Sequence, residues 1–270
     1  MHITDPDATA TAAARLLWQH WQAGTKLDGL PPALRPANAA AGHAVQARLP
    51  HVAGADVEGW KIAATSAAGQ AHIGVNGPLP GRLLAGRVHG DGARLSLAGN
   101  AMCVAEPEFV FRFGRSLAPR AVPYGVDEVL AAVAALHPGL EVPDSRYTDF
   151  VRAGEAQLLA DDACAHLFVL GPASTADWRA LGLRAQRVDG RVSRGGVTHL
   201  RRQGDGSAVL GDPRVALAWL VNALSVLGVP LQAGQFVTTG TCMQPLALAP
   251  GDQVLADFGV LGSVSASFVE

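Results

Sequence analysis

Apolar and polar positions change period several times along this chain. Residues 6–23 place Leu16, Leu17, Trp18 and Trp21 on one side of a helical wheel. Asp5-Pro6 supplies an N-cap and a first-turn proline, and Gly24 a terminator, which predicts a helix from about Pro6 to Ala23. A second helix is predicted from about Asn38 to Leu49, stopping before Pro50. Glu58–Ala64 reads as a strand and Ser66–His72 as a short helix capped by Ser66. The breakers of Val75-Asn76-Gly77-Pro78-Leu79-Pro80-Gly81 predict a loop and a soft boundary, giving a helical region 1–81 and a β-rich region 82–270. In the second region, Ala105–Phe113, Gly139–Val142 and Leu167–Leu170 read as strands. Asp127–Leu136 reads as an amphipathic helix that must end by Pro138. Asp189-Gly190 predicts a hairpin turn. Asp212-Pro213 opens a strong helix closed by Gly228, and three strands follow, Gln235–Thr241, Gln253–Phe258 and Ser263–Val269. Helices early and strands later predict an α+β fold.

Within the strand 105–113, Glu106 and Glu108 lie two residues apart in an apolar run. Side chains alternate along a strand, so both carboxylates share a face and Phe109, Phe111 and Phe113 take the other. Like charges buried together need a counter-charge, and paired carboxylates are natural ligands of hard divalent cations. The alternative is a polar face turned to water, with Pro107 marking a start or an edge.

Composition sharpens one point. The 270 residues are 49% hydrophobic and 16% charged, enough for a full core. Among 21 basic residues only Lys26 and Lys61 are lysines. Lys61 sits in the apolar segment Gly59-Trp60-Lys61-Ile62-Ala63, as a point charge for an anionic substrate, as an acid–base group, or on the strand's wet face. The net charge of −2 and the lack of a basic block argue against a nucleic-acid partner. No apolar run has transmembrane length, since Leu217–Leu227 is interrupted by Asn222 and Ser225. Cys103, Cys164 and Cys242 form neither a zinc pattern nor a disulfide framework, and the acidic opening lacks an apolar signal core. Both features predict a cytoplasmic protein. His72 and His166 read as hydrogen-bonded core or rim histidines.

The order of short motifs is more telling than any one of them. Gly59-Trp60-Lys61-Ile62-Ala63-Ala64-Thr65-Ser66 is followed by Gly74-Val75, Glu106-x-Glu108, Glu141-x-x-Asp144-Ser145-Arg146, Ala160-Asp161-Asp162-Ala163, Thr239-Gly240-Thr241 and Leu261-Gly262-Ser263-Val264. From about residue 10 onward this series resembles the 2-keto-4-pentenoate hydratase and 4-oxalocrotonate decarboxylase family of the fumarylacetoacetase-like superfamily. The resemblance implies a helical N-terminal part followed by a mainly antiparallel β roll or barrel, in a homo-oligomer. It implies one magnesium or manganese ion on Glu106, Glu108 and Glu141, with Lys61 as the catalytic lysine. It also implies a small 2-keto acid substrate lined by Ile73, Leu79, Cys164, Thr239 and Gly240. One departure stands out. Family hydratases typically carry an Asp in the loop after Gly-Val, where this chain has Leu79, an apolar residue of the kind found in family decarboxylases. The expected activity is therefore a metal-dependent lyase, hydratase first and decarboxylase second. Other readings are a C–C hydrolase using a His–Glu pair such as His51 and Glu58, or a binding protein that has lost turnover.

Overall fold

The computed structural model describes residues 6–270, so the expected Asp5 cap lies outside the described residues. Six α-helices and thirteen strands alternate along this length. The helices are α1 (Pro6–Ala23), α2 (Ala39–Ala53), α3 (Ala67–Ile73), α4 (Val126–Leu130), α5 (Glu155–Ala160) and α6 (Pro213–Val226). The strands are β1 (Val57–Ala63), β2 (Leu79–Leu84), β3 (Val88–Gly90), β4 (Ala93–Ser96), β5 (Val104–Phe113), β6 (Val133–Val142), β7 (Leu167–Leu170), β8 (Arg187–Arg194), β9 (Val197–Asp205), β10 (Phe236–Thr241), β11 (Leu246–Ala247), β12 (Gln253–Asp257) and β13 (Ser263–Val269).

An eight-stranded sheet runs β2-β1-β10-β5-β6-β7-β3, with β11 added beside β5, and a five-stranded sheet runs β4-β13-β12-β8-β9. Most pairs are antiparallel; β1–β10, β3–β7 and β4–β13 are parallel. Alternation decides what each face meets. Trp60, Ile62, Phe109, Phe111, Leu140 and Val237 join residues of the five-stranded sheet and α6 in the main core. Val110, Phe168 and Phe236 pack on the opposite side under Trp21 of α1 and Leu49 of α2. The intervening positions Lys61, Glu108 and Glu141 therefore project to the face that the N-terminal helices cover.

Several expectations are corrected. α2 continues through Pro50 and ends at Gly54 in the left-handed conformation, whose N–H bonds back to the last turn. Residues 79–81 belong to β2 rather than to a loop. β2 is an edge strand, where the missing N–H of Pro80 costs little. Gln46 of α2 pins it, donating from Nε2 to the Pro80 carbonyl at 2.7 Å and accepting from Arg82 Nη1 at 2.7 Å. The helix expected over Asp127–Leu136 stops at Leu130, Ala131 and Ala132 turn the chain, and Val133–Leu136 open β6. Pro138 lies within β6; its carbonyl accepts from Gly171 at 2.9 Å, so its nitrogen faces the side where β7 ends. Asp189-Gly190 lies mid-strand, and the turn falls at Gly195-Gly196, both at positive φ.

A segment 206–226 has the length and hydropathy to cross a membrane. Its regular helix, α6, is 14 residues, about 21 Å at 1.5 Å per residue, and it buries Leu217, Leu220, Val221 and Leu224 in the main core. The Asp212 side chain caps it by accepting from the Arg214 N–H at 2.8 Å. Asp212→Ala should lower unfolding stability by about 1 kcal/mol, read as a shift in denaturant midpoint with unchanged slope.

Candidate metal and substrate site

Glu106 and Glu141 face each other across β5–β6, and Glu108 lies two residues further along the same face. One oxygen from each of the three carboxylates falls within 4.8 Å of the others. Glu108 and Glu141 are fully buried, while Glu106 keeps part of its surface open. Glu108 Oε2 is held by the Thr238 hydroxyl and by the Gly240 N–H at 2.7 Å, which leaves Oε1 without a partner. Neither oxygen of Glu141 accepts a hydrogen bond. Its cationic neighbour is Lys61 Nζ, 3.0 Å from Oε1, an ion pair out of line for a hydrogen bond.

Buried carboxylate oxygens without donors are costly unless a cation meets them. Three carboxylates against one ammonium leave two negative charges over when all are ionised. This donor set fits a hard divalent cation in both chemistry and charge. Without one, protons compensate. Burial, then the Glu141 charge, raises the Glu106 carboxyl to about 7, and burial holds Glu108 well above the carboxylate range. Burial works against the Lys61 ammonium, but Glu141, Glu106 and Glu108 outweigh it and hold its pKa above the ordinary lysine value.

Lys61 is fixed by two devices. β2 runs opposite it with Gly81 at the paired position. A Cβ on Gly81 would lie 2.8 Å from Lys61 Cδ and 2.6 Å from the Asp162 carbonyl, so a side chain there would displace the lysine. The ammonium donates to the Ala163 carbonyl at 2.8 Å. That carbonyl belongs to an unusual turn, because Asp162, Ala163 and Cys164 all have positive φ, between 52° and 62°. L-residues adopt this conformation at a cost, so the surroundings must impose it. They do so through carboxylates on each side of the turn. Asp161 pairs with buried Arg146 and accepts from Ser145 Oγ at 2.6 Å. Arg146 Nη1 reaches the Ala165 carbonyl at 2.7 Å. Asp162 Oδ1 accepts from the Arg82 N–H at 2.8 Å.

The expected site residues divide. Leu79 is opposite Ala63 in β1, two residues from Lys61 on the same face, and packs with Val75, Leu158, Leu159, Ala163 and Cys164. Ile73, at the end of α3, is half-buried against that cluster. Gly240 holds φ +94° and aims its N–H at Glu108, and a Cβ would collide with Thr65. Thr239 is buried with its hydroxyl committed to the Phe109 carbonyl at 3.0 Å. Its neighbour Thr238 is the one that reaches the carboxylates. Thr238 and the Asp161–Cys164 turn were not singled out for these roles; two adjacent aspartates in apolar company were the available signal for the turn. His51 and Glu58 are exposed, with no hydrogen bond between them. His72 is exposed against Phe150, and His166 is buried with Nδ1 unpartnered rather than hydrogen-bonded. The three cysteines are free.

The curled mixed helix-and-sheet fold is of the fumarylacetoacetase-like type, and its covered face gathers three carboxylates and a lysine. No family profile matches the chain. Individual relatives do. The chain is 32% identical to a 2-keto-4-pentenoate hydratase of Burkholderia vietnamiensis over 99% of its length and 100% of the relative. It is 32% identical to a 4-oxalocrotonate decarboxylase of a Pseudomonas species over 79% of each chain. The structure of 4-oxalocrotonate decarboxylase from Pseudomonas putida G7 with magnesium and adipate superposes with a TM-score of 0.84, at 26% identity, over 96% of this chain and 97% of that one. The chain belongs to the 2-keto-4-pentenoate hydratase and 4-oxalocrotonate decarboxylase family.

Calorimetry should find one magnesium or manganese ion per chain, with affinity that rises between pH 6 and pH 8. The direction follows from Glu106, whose carboxyl is raised to about 7 by burial and the Glu141 charge: below that pH a proton competes with the cation for the same oxygens. Glu108→Gln should abolish the binding while near-native unfolding is retained. Unaltered affinity in this variant would remove Glu108 from the ligand set.

Proposed function

We propose that this protein is a metal-dependent lyase of small 2-keto acids, with hydration of a 2-hydroxydienoate of the 2-keto-4-pentenoate type as its reaction. The observation that carries the reading is the trio Glu106, Glu108 and Glu141, with donor-free buried oxygens beside Lys61. These carboxylates would hold magnesium or manganese. When bound, the ion polarises the ketone of a chelated 2-keto acid and stabilises the negative charge that develops on it.

The protein's own groups would do the rest. Thr238 and the Gly240 N–H fix Glu108 and leave one oxygen free to act as a ligand. Lys61 Nζ, held by the Ala163 carbonyl, would meet the substrate's anionic end or carry a proton at the carbon that gains it. Leu79 and Cys164 would form an apolar wall that excludes water, with Ile73 at its rim. Gly240 would border the substrate through its backbone; Thr239, its hydroxyl already engaged, could add only main-chain contacts. The small-molecule partner of this site would be the 2-keto acid substrate. We place the protein in the cytoplasm, without a nucleic-acid or membrane partner.

Decarboxylation is the second reading, and Leu79 favours it. A leucine cannot activate water, whereas carbon dioxide can depart into an apolar space. Magnesium-loaded protein supplied in parallel with 2-hydroxypenta-2,4-dienoate, 4-oxalocrotonate and fumarylpyruvate, with products identified by mass spectrometry, separates hydratase, decarboxylase and hydrolase. Turnover of the dienoate is the expected result, and no turnover of any of the three would sink the lyase reading. Lys61→Ala should lower kcat/KM by about 100-fold or more, within the range ascribed to positioned proton-transfer groups. Leu79→Asp should leave a hydratase that uses another base little improved, but should inactivate a decarboxylase.

A homo-oligomer is part of the same proposal. Val122, Val197, Val226 and Val260 are exposed by more than 65% in the isolated chain. Light scattering should give a multiple of 27.8 kDa at micromolar concentration.

A further inference from the structure

A second cavity, of about 510 Å³, opens between the end of α1, the β2–β3 turn, β4 and the segment Asp144–Arg146. None of the three carboxylates of the metal site lines it, nor does Lys61. Its charge is the reverse of that site's. Lys26, Arg87, Arg94 and Arg146 face it, and Asp144 is the one carboxylate in its wall. Two of these cations are already neutralised, Lys26 by Asp144 and Arg146 by Asp161. Arg87 and Arg94 are not: neither makes an ion pair or a side-chain hydrogen bond among the described residues.

Arg87 is also pre-organised. Its guanidinium lies over the rings of Trp18 and Trp21, 5.6 and 5.1 Å from their centroids, and Arg146 stacks on Trp21 at 4.2 Å. The two ring contacts restrain the Arg87 guanidinium beside the cavity, and no side-chain hydrogen bond among the described residues engages its N–H groups. The wall also contains unsatisfied polar atoms. Trp21 Nε1, His166 Nδ1 and His89 Nε2 are buried without a partner, and Trp21 and His166 are themselves at least nine-tenths buried. Burial, together with Arg146, Arg87 and Lys26, depresses the His166 imidazole to about 3, so it is neutral at physiological pH. The charge of Glu58 acts on His89 from outside the wall.

We propose that this cavity is a binding site for a small dianion, a phosphate group or a short dicarboxylate, held by the Arg87 and Arg94 guanidiniums with a hydrogen bond from Trp21 Nε1. Two uncompensated cations match two negative charges, and the unpartnered indole N–H supplies a neutral donor beside them. The site is independent of the reaction proposed above.

The test is titration calorimetry on the magnesium-loaded protein with inorganic phosphate and, separately, with succinate, at constant ionic strength set by sodium chloride. Saturable binding of one probe per chain is expected, and the stronger probe assigns the phosphate or the dicarboxylate class. Arg87→Gln combined with Arg94→Gln should weaken that binding about tenfold or more, the loss expected for charge-assisted hydrogen bonds, while turnover is unchanged. Glu108→Gln, defective at the metal site, should bind the probe as the wild type does, so a failure of the lyase reading does not carry over. No saturable heat with either probe, or equal affinity in the double arginine variant, would overturn the proposal.

Discussion

Burying three carboxylates beside a single ammonium is the constraint around which this fold is arranged. Charge in a low-dielectric interior must be balanced locally. Lys61 can balance only part of it, and only if it stays where it is. The pairing of β1 with β2 places Gly81 beneath the lysine's stem, and Gln46 of α2 fixes β2 in that position. The left-handed turn at Asp162–Cys164 turns a carbonyl toward the ammonium, and the Arg146–Asp161 pair holds the turn. A second layer of buried charge thus secures the first. Burial raises the Asp162 carboxyl to about 7 even with Arg82 beside it.

The same face shows how one sheet serves two purposes. Odd positions of β5 carry Phe109, Phe111 and Phe113 into the main core, and even positions carry Glu106 and Glu108 to the site. A register slip of one residue would exchange these sets. Phe109 lies edge-on to Phe258, and Phe111 edge-on to Trp178, so the aromatic face resists such a slip and keeps the carboxylates in place.

Much of this was legible in the residues. Helices with a chemical start signal read well: Ser66 caps α3 and Asp212 caps α6. The alternation of β5 and the isolation of Lys61 pointed to the site. The misreadings share a cause, namely that tertiary pairing overrode local preference. The alanine-rich run 131–136 has helical propensity, yet from Val133 onward it is paired with β5. Gly190 resembled a turn residue, but it lies mid-strand because Met243 and Leu246 pack against its bare face. Pro80 resembled a loop residue and is tolerated because it stands at a sheet edge. Thr238 could not be told from Thr239 without the register of β10 against β5.

The place of β10 in the sheet bears on how the protein comes into being. β10 lies between β1 and β5 and pairs with both, although it is separated from β1 by most of the chain. On the ribosome, β1 and β5 emerge long before the strand that joins them. Until residue 236 is translated, two apolar strands present open edges, a state that invites pairing with other chains. The Thr238 hydroxyl and Gly240 N–H that hold Glu108 arrive with the same late strand. A truncated or stalled product would therefore lack the contacts that hold Glu108 as well as a closed sheet, and slow long-range pairing, rather than local helix formation, should limit how fast newly made chains mature.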